Sequence, residues 1–78
     1  MDGFITKDDL HKTVCKNIKK KRLAAGMTQE ELSERINLSH EYLRQLESEK
    51  GQKDFSFYTL YKISMVLDVT LDSFLEKE

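Results

Sequence analysis

Residues 28–47 read TQEELSERINLSHEYLRQLE, and this stretch decides the fold of the chain. Its first half has the pattern of a short helix with a marked beginning. Thr28 is followed three residues later by Glu31, which fits a capping box at a helix start. Leu32 and Ile36 stand four residues apart, so they fall on one side of that helix. The first half of the stretch therefore predicts a short amphipathic helix.

The second half of the stretch predicts a tight turn and another short helix. Asn37 tolerates a left-handed backbone and can end the first helix, and Ser39 offers a second N-cap. Leu43 and Leu46 give the second helix its buried edge. Its opposite side is polar and carries His40, Glu41, Arg44, Gln45 and Ser48. Two short helices joined by such a turn form a helix-turn-helix, whose second helix enters the major groove in DNA-binding examples.

Apolar residues at helical spacing predict three further helices and no strand. The first helix runs from Thr6 to about Ala25; the fourth is capped by Ser56 and ended by Asp68, and the fifth is capped by Thr70. Their apolar stripes are Leu10, Val14, Ile18 and Leu23; Phe57, Leu60, Ile63 and Leu67; and Leu71, Phe74 and Leu75. We therefore predict an all-α, compact five-helix bundle, with residues 7–78 as a single domain. Residues 1–6 form an N-terminal extension that either packs back onto the domain or is flexible.

Charge is distributed unevenly along a chain whose net charge is only −1. Residues 1–27 carry seven basic and three acidic side chains, whereas residues 28–49 carry two basic and six acidic ones. Non-specific affinity for nucleic acid comes mainly from neutralised phosphates. The net charge therefore does not predict nucleic acid as a partner, although the first third of the chain can present a basic face.

Several classes of function are disfavoured by the sequence. Cys15 is the single cysteine, so no internal disulfide is expected, and His11 with Cys15 supplies too few ligands for a metal site. No nucleophile is joined to a base and no glycine-rich phosphate loop occurs, so we expect neither an enzyme nor a cofactor. The N-terminus lacks a signal peptide, and no apolar run approaches the roughly 20 residues of a membrane span. We expect a cytoplasmic protein.

Five motifs together give the chain a family resemblance. They are Lys21-Arg22, GMTQEEL at 26–32, LRQLE at 43–47, LYKI at 60–63 and LDVTL at 67–71. With them, about residues 12–75 resemble the phage-repressor-type helix-turn-helix family, also called Cro/repressor or XRE-like. The resemblance implies a lambda-repressor-like bundle whose second and third helices form the motif. It also implies a sequence-specific DNA-binding transcriptional regulator with double-stranded DNA as its partner.

The resemblance also implies roles for individual residues. Candidate DNA base contacts are Ser39, His40, Glu41, Arg44 and Gln45. Candidate phosphate contacts are Gln29, Tyr42, Ser48, Lys50 and Lys53. Arg22 and Glu47 match a pair that forms a partly buried ion pair in many members. Gln45 and His40 also fit solvated polar residues on an exposed helix. Glu41 fits either a contact to cytosine N4 or plain solvent exposure, and its charge repels phosphate.

A second stripe on the fourth helix suggests a protein interface. Tyr58, Tyr61 and Met65 lie away from the core stripe. Our hypothesis is a homodimer on a palindromic operator, with half-sites about 34 Å apart and an interface formed by Phe55, Tyr58, Met65, Leu71 and Ser73. The alternative is a protein-interaction module, such as an antitoxin-like or antirepressor-like subunit. Acidic residues near the third helix (Glu41, Glu47 and Glu49) and a pI near 6.1 favour that alternative modestly.

Overall fold

Four α-helices and one short 3-10 helix make up the computed structural model, which describes residues 3–48 and 54–77. The α-helices are α1 (Lys7–Ala24), α2 (Gln29–Arg35), α3 (His40–Glu47) and α4 (Phe57–Leu67), and the 3-10 helix covers Leu71–Leu75. No strand occurs within the described ranges. The all-α prediction is confirmed. The count of five helices is not confirmed as a count of α-helices, because the last element is a single 3-10 segment of five residues.

Side-chain caps begin the α-helices where the sequence predicts them. The hydroxyls of Thr6, Thr28, Ser39 and Ser56 each accept a hydrogen bond from the backbone N–H three residues on, at 3.0–3.1 Å. At α2 the box is complete, because the Glu31 carboxylate accepts the Thr28 N–H at 3.1 Å. Thr70 stands at the N-cap of the last helix, as predicted, but its side chain makes no such bond. The buried ring of Phe74 and a bond from Asn17 hold that segment instead.

The ends of the helices also follow local backbone chemistry. Asn37 and Asp68 have left-handed backbones, with φ of 60° and 57°. Gly26, which follows α1, has φ of 70°, a conformation that costs glycine little because it has no Cβ. The turn signals of the sequence are confirmed at all three positions, so the lengths of α1, α2 and α4 are set locally.

The core lies where the four α-helices and the 3-10 helix meet. Its buried hydrophobic residues are Val14, Cys15, Ile18, Leu32, Ile36, Leu43, Leu46, Ile63, Leu67 and Phe74. Burying each large apolar side chain stabilises the fold by about 1.5–3 kcal/mol. Leu60 is half-buried against this core. Thr59, Ile63 and Leu67 are buried at i, i+4 and i+8, and they define the inner side of α4.

Several residues of the predicted apolar stripes are exposed. Phe57, 74% exposed, stands two residues before Thr59 and therefore points to the far side of α4. Leu10, Leu23 and Leu75 are also exposed, at 40%, 58% and 52%. These side chains lie at the margins of stripes that are wider than the surface the small bundle can cover. The assignment of Phe57 to the core stripe of α4 is therefore wrong.

A polar contact fixes the C-terminal segment on α1. The buried Asn17 amide donates to the backbone carbonyls of Phe74 and Glu76, at 2.7 and 2.8 Å. Lys21 adds an ion pair with the Glu76 carboxylate at 3.3 Å. These carbonyls belong to a segment without a regular α-helical ladder, and the Asn17 amide supplies their partners. Asn17 therefore helps to hold the 3-10 helix on α1.

Candidate nucleic-acid interface

The helix-turn-helix consists of α2, the turn at 36–39 and α3. Leu32 and Leu43 are fully buried and pack the two helices onto the core. The Leu38 N–H donates to the Ser33 carbonyl at 3.0 Å, which closes the turn after α2. On the other side, Lys62 of α4 donates its ammonium to the Ile36 carbonyl at 2.6 Å. These contacts hold α2 and α3 in a fixed orientation relative to each other. The outer side of α3 faces solvent.

The outer side of α3 carries the side chains predicted to contact bases. Ser39, His40, Glu41 and Arg44 are exposed, and Gln45 is half-buried. Arg44 pairs with Glu41 through a forked set of hydrogen bonds, two of them at 2.6 and 3.0 Å. Hydrogen bonding to Arg44 holds the pKa of the Glu41 carboxyl below its usual value, and the same bond raises the pKa of Arg44. The two side chains therefore form an exposed ion pair on the outer side of α3.

A buried ion pair lies beneath this surface. Arg22 of α1 donates to both carboxylate oxygens of Glu47, at 2.7 and 2.9 Å, and their side chains are only 6% and 2% exposed. Arg22 also donates to the Met27 carbonyl at 2.7 Å. The structure thus brings together the two residues that the family resemblance pairs, and it ties α1 to the end of α3.

Gln29 extends this ion pair toward the surface. Its amide nitrogen donates to Glu47 at 3.0 Å, and its amide oxygen lies 3.3 Å from Nε2 of His40. The side chain is half-buried at the start of α2. An amide group carries two donor hydrogens, and the bond to Glu47 uses one of them. The link between Gln29, His40 and Glu47 is absent from the sequence prediction, because the three residues lie 7 to 18 positions apart.

The other predicted phosphate contacts are spread over the end of α3 and beyond. Tyr42 is half-buried, and its hydroxyl donates to the Asp54 carbonyl at 3.0 Å. Burial raises the pKa of this phenol. Ser48 is exposed at the end of α3. Lys50 and Lys53 lie outside the described residues.

The five residues predicted for the dimer interface have different environments. Tyr58 and Met65 are 65% and 63% exposed. Phe55 is half-buried against the core and stacks on His11, with ring centroids 5.1 Å apart. Leu71 is also half-buried against the core, and Ser73 donates its hydroxyl to the Thr70 carbonyl at 2.6 Å. Of these five residues, only Tyr58 and Met65 are thus apolar side chains that are mainly exposed.

Two residues outside that prediction extend this exposed surface. Phe57 and Tyr61 are 74% and 45% exposed, and they share one side of α4 with Tyr58 and Met65. We call these four residues the α4 face. The rings of Tyr58 and Tyr61 stack, with centroids 6.2 Å apart. The sequence shows that Phe57 is an apolar residue of a helix. Whether its side chain points to the core or to solvent depends on which side of α4 meets the core.

Cys15 is a buried thiol close to a histidine. Its sulfur lies 3.7 Å from Nδ1 of His11. Burial, with a smaller contribution from the charge of Glu47, raises the pKa of the thiol to about 11. At neutral pH the thiol is therefore protonated, and a thiol is a poor nucleophile and metal ligand. Within residues 3–48 and 54–77, His, Cys, Asp and Glu side chains form no group of three that could hold a metal ion.

The fold and its surface define a class of protein. Two short helices joined by a closed turn, with a polar exposed second helix, make this a helix-turn-helix protein. The family model described as helix-turn-helix matches residues 18–74, and the chain belongs to this XRE-like helix-turn-helix family. No helix in the described part of the chain is long and apolar enough to span a membrane.

Individual relatives agree with the family assignment. The chain is 36% identical over 62 residues to an uncharacterized HTH-type transcriptional regulator, y4dJ, from Sinorhizobium fredii, covering 80% of this chain and 78% of the relative. It resembles the crystal structure of SinR, a master regulator for biofilm formation, in complex with DNA. That match has a TM-score of 0.72 and 32% identity, and it covers 81% of this chain and 98% of SinR.

A third protein supports the fold alone. The hypothetical transcription factor NHTF from Neisseria matches with a TM-score of 0.76 and 19% identity, covering 97% of this chain and 86% of the neighbour. The alignment reaches nearly the whole chain, so the arrangement of helices recurs even where few residues are shared.

Proposed function

We propose that this protein is a sequence-specific DNA-binding transcriptional regulator that places α3 in the major groove. The observation that carries the proposal is that polar side chains are exposed on the outer side of α3. A buried ion pair holds the inner side of this helix on α1. Membership of the XRE-like family supports it, as does the similarity to SinR, which has been crystallised with DNA. A selection of random duplex DNA at low salt, followed by a salt titration, tests the proposal.

Base recognition is assigned to the exposed side of α3. An amide side chain such as that of Gln45 can bond both N6 and N7 of adenine, and a guanidinium such as that of Arg44 can bond O6 and N7 of guanine. Ser39 and His40 lie at the start of the helix, where recognition helices contact base edges. Glu41 fits a contact to cytosine N4, or it remains the partner of Arg44. A phosphate or guanine approaching Arg44 would have to compete with that carboxylate.

Phosphate contacts would set the register of the protein on the duplex without reading sequence. Gln29 is the best supported of them, because its amide is held in place by Glu47 and keeps one hydrogen for an anion. Ser48 and Tyr42 border the same surface at the end and side of α3. Lys50 and Lys53, in the segment after α3, complete the proposed set.

The first prediction concerns Gln45. Replacing it with alanine should weaken binding to the selected site by about 1–3 kcal/mol and relax the preference at one base position. Binding to random DNA should change little, because a base contact contributes nothing there. Fluorescence anisotropy on both DNAs measures the difference, with Glu34→Ala on the exposed side of α2 as a control. Equal losses on the two DNAs would make Gln45 a phosphate contact instead.

We further propose that the protein binds DNA as a homodimer through the α4 face. Aromatic side chains bury about 150–250 Å² each, so the four exposed residues offer roughly 400–500 Å² per protomer. A symmetric pair would bury nearly the ~1,000 Å² expected of a specific interface. Lys62, the single charged residue of α4, is held at the Ile36 carbonyl and lies 5.2 Å from the centre of the Tyr58 ring. The four side chains of the α4 face are themselves uncharged, and the ammonium beside Tyr58 is already bound to a backbone carbonyl.

The dimer prediction is tested with one added charge. Met65→Lys should shift the protein toward monomer at micromolar concentration, because a two-fold interface would bring two new cations together. Analytical ultracentrifugation measures the change, and Leu23→Lys, at an exposed apolar residue outside the α4 face, is the matched control. A wild-type protein that stays monomeric at high micromolar concentration would contradict the dimer.

The same exposed face supports a second candidate function, a protein-interaction module of the antitoxin-like or antirepressor-like kind. In that case the α4 face would meet a different chain, and the domain would have no affinity for DNA even at low salt. A stable hetero-complex lost on Met65→Lys, together with no enrichment in the DNA selection, would favour this candidate over the regulator.

A further inference from the structure

Four side chains form a continuous line of hydrogen bonds from the interior to the proposed DNA surface. Arg22 and Glu47 are buried, Gln29 is half-buried and His40 is exposed at the first position of α3. The bonds measure 2.7 Å from Arg22 to Glu47, 3.0 Å from Gln29 to Glu47 and 3.3 Å between Gln29 and His40. We call this set the hydrogen-bond chain. It connects the ion pair of the core to a predicted base contact.

The buried carboxylate determines the direction of every bond in the hydrogen-bond chain. An ionised carboxylate only accepts hydrogen bonds, so Gln29 must turn its NH₂ group toward Glu47. The amide oxygen of Gln29 then faces His40, which must donate from Nε2. In neutral imidazole the other nitrogen is an acceptor. Nδ1 of His40 is therefore the atom that accepts a second proton, and the bond to Gln29 persists when it does.

Protonation of His40 changes what α3 offers to DNA without breaking the hydrogen-bond chain. In the neutral ring Nδ1 is an acceptor; in the charged ring it is a donor that carries a positive charge. Glu41, the next residue on α3, is affected by the charge of His40 and pairs with Arg44. Glu47, reached through Gln29, pairs with Arg22. The start of a helix mildly disfavours a cation. Duplex DNA brings a dense row of phosphates that favours one.

We propose that His40 couples DNA binding to the uptake of a proton and changes its base preference on doing so. Neutral His40 accepts from a base donor such as adenine N6 or cytosine N4, whereas charged His40 donates to guanine O6 or N7 or to a phosphate. Glu47 and Gln29 are the positioning residues that keep Nδ1 free for this role. The inference rests on the proposed function, since it concerns the same surface of α3.

The test compares affinity for the selected site between pH 8 and pH 5.5, at constant ionic strength. Histidine gains its charge within this range, and uptake of one full proton changes affinity about tenfold per pH unit. As the pH is lowered, we expect the Kd of the wild type to fall by about threefold or more per pH unit over part of this range. His40→Gln keeps a donor for Gln29 but cannot gain a charge, so its Kd should vary much less. The chain has only two histidines, and His11→Gln is the matched control that should retain the pH dependence.

Nuclear magnetic resonance of the imidazole nitrogens gives a reading that does not depend on DNA affinity. The free protein should keep a hydrogen on Nε2 of His40 across the titration, with Nδ1 changing. Gln29→Met should allow the hydrogen of neutral His40 to lie on either ring nitrogen, while leaving the buried ion pair intact.

Three outcomes of the binding and resonance measurements would overturn the inference. They are a wild-type Kd that does not change with pH, a His40→Gln variant that keeps the wild-type pH dependence, or a neutral His40 that carries its hydrogen on Nδ1. Absence of DNA binding at every pH and salt concentration would instead overturn the proposed function on which the inference rests. Calorimetry in two buffers with different ionisation enthalpies counts the protons taken up. A count of zero for the wild type would also contradict the inference.

Discussion

Glu47→Ala is expected to lower the free energy of unfolding by about 3–5 kcal/mol, because it leaves the buried guanidinium of Arg22 without its carboxylate. The pair is nearly inaccessible to water, and its two hydrogen bonds measure 2.7 and 2.9 Å. Gln29 loses its acceptor at the same time. For a domain of 78 residues, whose core is small, this loss is a large part of the total stability. Urea denaturation followed by circular dichroism measures it through the midpoint.

The matched controls separate burial from charge. The double variant Arg22→Met, Glu47→Leu removes both charges and replaces them with apolar groups, and it should recover most of the lost stability. Glu41→Ala breaks an ion pair that is exposed on both sides, and it should leave the urea midpoint almost unchanged. If Glu47→Ala and Glu41→Ala shifted the midpoint equally, the ion pair of Arg22 would not be a buried one in solution.

Phe74→Ala is expected to have a comparable effect, a loss of about 3–5 kcal/mol. Phe74 is 1% exposed and is one of the largest fully buried side chains. It lies in the 3-10 helix, where the backbone supplies little stability of its own, so the segment docks through this ring and through the two bonds from Asn17. Alanine would leave a cavity beneath α1 that the rigid helices cannot fully close.

Two further variants grade the Phe74 prediction. Phe74→Leu keeps most of the apolar volume and should lose clearly less stability than Phe74→Ala. Leu75→Ala removes the exposed neighbour and should change the urea midpoint little. Thermal or urea unfolding of the three variants provides the comparison. If Phe74→Ala were as stable as Leu75→Ala, the C-terminal segment would not be docked on α1 in solution.

Both predictions bear on DNA binding through the position of α3. Glu47 joins the end of α3 to α1, and the same carboxylate orients Gln29 at the start of α2. A variant that loses Glu47 would therefore lose the placement of two proposed DNA contacts as well as stability. Phe74 lies far along the chain from α3, so Phe74→Leu, if folded, should retain the base preference of the wild type. The two variants thus separate loss of stability from loss of the interface.

Local chemistry alone determined the limits of the helices. Thr28 and Glu31 are three residues apart, and Asn37 ends α2 through its own backbone preference, so their roles can be read from neighbouring letters. The placement of α2, the turn and α3 follows from the same short-range signals. The family motifs added the pairing of Arg22 with Glu47, which is a contact between distant positions that no local rule supplies.

Tertiary structure decided which side of each helix is used and what holds the chain end. Phe57 is apolar and helical, yet the position of the core on the Thr59 side turns it outward. Asn17 bonds to carbonyls 57 and 59 residues away, and Gln29 joins α2 to both ends of α3. Such contacts depend on the relative placement of whole helices, which is set by the sum of their packing. The sequence by itself therefore determined the helix-turn-helix, whereas the hydrogen-bond chain and the α4 face exist only once the bundle has formed.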